Sequence, residues 1–279
     1  MISRINKPAL IAVAGLLTAC MLLASPGCRD GAVSREKLEK IDAALRSGTC
    51  RMAGTTSFIG AMKVFDFENA SFYGDVMQEL DSGRDAARAV LESVEEMSTF
   101  DYRGGLSALG GYVEEYTVAV VEAVEELDTI YEGIKDIFQA IEPVLREEAV
   151  ITQLEAPGSD ADLLERLGRL DAALDLSLEE LPGIVVPSLL GEYKSLFEGI
   201  FTTLQKLVQE LIAAATGGIT DEEMENNPDF EHMQGLLADY VPLVEALHER
   251  LRITSVEPLL EKVELEINRL YLELSGQQG

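Results

Sequence analysis

Glu245 and His248 are the residues best suited to chemistry in this sequence, three apart in Glu245-Ala246-Leu247-His248. On a helix, that spacing presents a carboxylate and an imidazole on one face, the arrangement by which helical bundles hold a transition metal. Asp229-Phe230-Glu231-His232 is a looser version of the same pattern. His232 and His248 are the chain's 2 histidines. At about 100° per residue on one helix they point to nearly opposite sides. A shared metal would need a bend, expected at Pro242, to bring them together. A metal-dependent enzyme or metal-binding bundle using Glu245 and His248 is therefore the alternative reading, and no catalytic, cofactor-binding or metal-ligating residue is assigned.

Other candidates have plainer explanations. The acidic run Asp221, Glu222, Glu223, Glu225, Asp229 and Glu231 offers oxygen ligands that calcium prefers, but it lacks the alternating ligand spacing and central glycine of an EF-hand loop. Helix capping and a solvated face account for it. Glu95-Glu96 and Glu179-Glu180 lie beside apolar seams, where surface charge explains them without an acid–base pair. Cys50, among Gly48, Thr49, Arg51 and Gly54, reads as a loop thiol with no histidine near it in sequence. Tyr112, Tyr116, Tyr131, Tyr193 and Tyr240 could line a ligand cavity, but their helical spacing fits core packing with hydroxyls at the edge. Dinucleotide-binding, phosphate-loop, nucleophile-elbow and His-Glu-x-x-His motifs are missing. Cofactors are not expected, and an enzyme is the minority reading.

Charge narrows the partners. The chain has 50 acidic and 22 basic residues, a formal net charge of -28. Nucleic-acid affinity is built on neutralising phosphates with Lys and Arg, so nucleic acid is excluded as a partner. Such a surface favours solubility before it specifies any ligand. Trp is absent, which disfavours binding platforms built on it.

The N-terminus has the form of an address. Arg4 and Lys7 make a small positive region, and Ala9 to Ala24 is an uncharged, mostly apolar run that is short for a membrane span of about 20 residues. Within it, Leu17-Thr18-Ala19-Cys20 resembles the lipobox of bacterial lipoprotein signal peptides. The resemblance covers four residues and nothing of the mature domain. It implies diacylglyceryl modification of Cys20 and cleavage before it. Cys28 is the alternative lipidation site: Ser25-Pro26-Gly27 departs from the lipobox pattern, although the polar stretch that follows Cys28 suits a mature N-terminus better than Met21-Leu22-Leu23. Cleavage before Cys20 removes both cations of the positive region and no acid, so the mature chain is more acidic still. Lipidation of Cys20 leaves Cys28 and Cys50 as an even pair able to form a disulfide in an oxidising compartment.

The elements that would position these residues are helices, because apolar residues recur at alternating steps of three and four through most of the chain. Ser34 caps a first helix carrying Leu38, Ile41 and Leu45, which ends before Gly48. Residues 56–80 read as two short helices, 84–97 as another, and Gly104-Gly105 with Gly110-Gly111 bracket a loop. A long heptad-like seam follows through Val124, Leu127, Tyr131, Ile134, Phe138, Ile141 and Leu145, with Pro143 expected to kink or restart it. After the break at residues 156–160 comes a helix with Leu163, Leu167, Leu170 and Leu174. The next, at 188–216, is apolar but carries Glu198, Gln205, Lys206 and Gln209 on a polar face, so it reads as a core helix and not a membrane span. Thr220 to Glu223 forms a capping box. Asn227-Pro228 opens a helix with Phe230, Met233, Leu237, Tyr240, Val244, Leu247 and Leu251 inward, and Ser255 caps a last helix ending near Gly276.

The expected fold is all-α, an irregular multi-helix bundle of amphipathic antiparallel helices. Residues 1–19 are expected to be the lipoprotein signal peptide, 20–33 a tether and 34–279 the bundle domain, with a subdivision near 156–160 left open. The functional expectation is an exported, lipid-anchored protein facing the periplasm or cell exterior, a binding or structural module of the cell envelope. Its partners would be the membrane, through the anchor, and a protein or small apolar ligand.

Overall fold

The computed structural model describes residues 33–64, 71–152, 160–217 and 227–276, with the side chains of 148–152, 160 and 161 left aside. The described residues form α1 (Arg35–Met52), α2 (Ser57–Lys63), α3 (Phe72–Ser98), α4 (Ser107–Thr152), α5 (Asp160–Glu180), α6 (Gly191–Ala215), α7 (Pro228–Arg250) and α8 (Glu257–Gly276), with short 3-10 turns between several of them. The fold is an all-α multi-helix bundle.

The residues fall into two compact units that interleave along the chain. Of the described residues, one unit takes 33–51, 89–123 and 255–276, while the other takes those within 52–88 and 124–254. In the first, the Lys37 amide is capped by Ser34 Oγ at 3.1 Å, as a helix start requires. Leu38, Ile41 and Leu45 are buried on one face of α1. Ser93 donates to the Ala44 carbonyl, tying α1 to α3 where Gly48 lets them approach: a Cβ there would lie 2.6 Å from Ser93 Oγ. Val113, Tyr116 and Val120 of α4 and Val263, Ile267 and Leu270 of α8 are likewise buried, and Lys262 meets Glu115 at 3.6 Å.

The second unit is antiparallel by its cross-helix contacts. Phe72 stacks on Phe138 at 5.6 Å between ring centres, while Arg84, a dozen residues further along α3, reaches back to Asp128 of α4 at 3.3 Å. Ser177 Oγ donates to the Ala140 carbonyl at 2.7 Å and Arg169 reaches Glu147 at 3.2 Å, so α5 runs against α4. Gln209 donates to Asp171 at 3.1 Å as α6 returns along α5. Tyr193 meets Tyr240 at 3.0 Å and Asn227 contacts Glu210, which sets α7 against α6.

Several boundaries differ from the sequence reading. Helix α1 continues past Gly48, so Cys50 sits exposed on its last turn and not in a loop. Residues 72–98 form one helix. Gly104–Leu106 is a 3-10 turn, and Gly110 and Gly111 lie inside α4. Helix α4 runs through Pro143. A mid-helix proline costs about 3 kcal/mol, but Phe138, Ile141 and Val144 around it are fully buried, each contributing about 1.5–3 kcal/mol, so burial outweighs the lost hydrogen bond. Helix α7 runs through Pro242 in the same way. Gly217, with φ +80, ends α6 in the left-handed region that glycine tolerates. Among the described residues, no helix is long and apolar enough to cross a membrane.

Candidate functional site

Helix α7 carries the sequence-predicted pair. The Asn227 side chain accepts from the Asp229 amide at 2.9 Å, with Pro228 in the first turn, the chemistry that starts a helix at this point. Glu245 is exposed and His248 half-buried. The Glu245 carboxylate is met by Lys63 Nζ from the end of α2 at 3.1 Å. The pair is solvent-exposed and so a weak contact, although the positive charge of Lys63 opposes a metal cation at the same oxygen. Among the described residues, no group of three or more His, Cys, Asp or Glu is placed to hold a metal. Cys20 and Cys28, and Asp221 to Glu225 of the acidic run, lie outside the described residues, as does the capping box from Thr220.

His232 is exposed on the opposite face of α7. With Pro228, Glu231, Gly235, Leu236 and Asp239 it lines a shallow, open depression of about 410 Å³. Ligand sites bury most of their ligand within concave walls, and an open depression lined by residues of one helix alone does not.

The inward prediction for α7 holds from its middle onward: Tyr240, Val244, Leu247 and Leu251 are buried. Of the positions expected inward, Phe230 and Leu237 are instead 42% and 36% exposed and Met233 is half-buried, and with Val241, 40% exposed, Phe230 and Leu237 make a stripe one heptad and one turn apart. Exposed apolar stripes can mark interaction surfaces, though scattered ones are ordinary.

The core packing expected of the tyrosines holds at four of the five positions. Tyr116, Tyr131, Tyr193 and Tyr240 are all fully buried, while Tyr112 stays partly exposed. In the second unit, Phe197 packs against Tyr193 at 5.0 Å and against Phe138, Phe201 and Tyr240 at 6.0 Å. Most of these contacts are edge-on, the geometry aromatic rings prefer. The Tyr193 and Tyr240 hydroxyls bond each other inside this cluster. Burial drives both phenol pKa values up, because the charged phenolate would lose its hydration. They therefore stay neutral and hold position, which suits packing and not acid–base catalysis.

A second node, at the edge of the core, surrounds the half-buried Arg84. Its guanidinium pairs with Glu132 and, at 3.3 Å, with Asp128, and stands 5.9 Å above the Tyr131 ring. Burial alone would lower its pKa, but the two carboxylates hold it above the usual value. In turn, Arg84 holds the Glu132 carboxyl below its usual range. Tyr131 donates to the Thr55 carbonyl at 2.6 Å, and the absence of a side chain at Gly83 leaves room for that contact. With its cation paired twice, the node reads as an interhelix clamp. The signal available in sequence, Arg84 against carboxylates spaced four apart at 128 and 132, becomes visible only once α3 and α4 are known to be neighbours.

No protein-family model, curated protein or solved structure matches the chain.

Proposed function

We propose that this chain is a lipid-anchored, extracytoplasmic helical bundle serving as a binding or structural module of the cell envelope. The observation that carries the reading is the N-terminal pattern, a positive Arg4/Lys7 region, an uncharged apolar run and Leu17-Thr18-Ala19-Cys20 in order. The body of amphipathic helices, packed through buried apolar and aromatic faces, supports a module whose work is contact. The partner would be a protein or a small apolar ligand, and a net charge of -28 disagrees with nucleic acid. The metal-dependent alternative gains nothing from the described residues, where Lys63 pairs with one oxygen of Glu245 and no group of three or more metal-ligating side chains forms.

Intact mass and membrane partition, measured after expression in a bacterial host, test the reading with Cys20→Ser and Cys28→Ser beside the native chain. Loss of the lipid mass and of membrane partition in Cys20→Ser alone is the expected result. The same loss in Cys28→Ser alone moves the anchor to Cys28. A native chain that carries no added lipid mass refutes the proposal.

A further inference from the structure

We draw no further inference here: the strongest candidate, the exposed apolar stripe of Phe230, Leu237 and Val241 on α7, carries nothing because nothing in the structure shows what covers it.

Discussion

The buried tyrosine pair makes a prediction in which one substitution changes sign with its background. Tyr193 and Tyr240 are each 1% exposed, and their hydroxyls lie 3.0 Å apart. Tyr240→Phe removes the group that Tyr193 bonds and leaves the Tyr193 hydroxyl buried without its partner. An orphaned buried polar group costs about 1–3 kcal/mol, whereas losing both partners to apolar groups of the same shape is nearly neutral. Tyr193→Phe in the native chain breaks the same bond and should cost about 0.5–3 kcal/mol, between the net worth of a hydrogen bond and the cost of an orphaned hydroxyl. Introduced into Tyr240→Phe, the same change should restore about 1 kcal/mol by deleting the orphan. Urea unfolding followed by far-ultraviolet circular dichroism on all four chains gives the cycle, with midpoints compared at unchanged slope. A coupling above about 0.5 kcal/mol is resolvable. If Tyr193→Phe destabilises both backgrounds equally, the hydroxyls do not depend on each other and the account of the aromatic core is wrong.

Glycine substitutions should divide by what surrounds them. At Gly133 a Cβ would lie 2.7 Å from Leu190 Cδ1 and 3.1 Å from Pro187 Cδ, and Leu190 is fully buried, so Gly133→Ala should lower stability by about 1–3 kcal/mol. Gly168, in mid-helix with nothing within 4 Å, should gain up to about 1 kcal/mol as alanine; thermal melts that rank the two the other way would refute the packing. Alkaline stability should fall because the buried tyrosines keep their protons longer when folded: Tyr116 is pushed up to about 12 by burial, with Glu264 adding to it. Stability from this source is fully present below pH ~10, the free phenol value, and is lost as pH rises through the folded value. Unfolding midpoints that stay level up to about pH 12 would contradict it. Finally, a net charge of -28 makes the folded state self-repelling. Sodium chloride raised from about 0.01 M, where charges act over about 30 Å, should raise the melting temperature, and a flat or falling response would mean the ion pairs outweigh the repulsion.

The heptad seam of α4 was legible because burial at regular steps is a local pattern: Val124, Leu127, Tyr131, Ile134, Phe138, Ile141 and Leu145 are all buried. The glycines misled for a non-local reason. In sequence, glycine reads as a helix stop, since it costs about 1 kcal/mol in a helix. Gly48 and Gly110 are inside helices because a neighbour needs the space, with a Cβ at Gly110 only 2.5 Å from Tyr102 Cβ. Periodicity counts positions along one helix and cannot register the neighbour.

The same limit separates what could be read of the chemistry from what could not. An i, i+3 carboxylate and imidazole are visible at Glu245 and His248, but the group that decides whether the carboxylate is available is Lys63, far away in sequence and delivered by α2. Likewise the apolar repeat of α7 runs unbroken from Phe230 to Leu251, yet only its second half lies where neighbours bury it. Leu236 touches the space above Gly199 at 3.5 Å, and the Tyr193–Tyr240 bond marks where the buried stretch of the apolar face begins. A repeat therefore states which residues could be inward, and the partner helix selects among them. The N-terminal address differs in kind: charge, apolar run and Cys20 are contiguous, so everything that would specify it lies in one short stretch of sequence. For that reason the anchoring proposal can be tested by single cysteine substitutions, whereas a site on the helices needs its long-range neighbours perturbed as well. Lys63→Met should leave Glu245 and His248 without the competing cation. If zinc then binds in one-to-one stoichiometry by elemental analysis, and the native chain takes up none, the pair is a latent metal site that Lys63 blocks. If neither chain binds zinc, the spacing alone carries no metal chemistry.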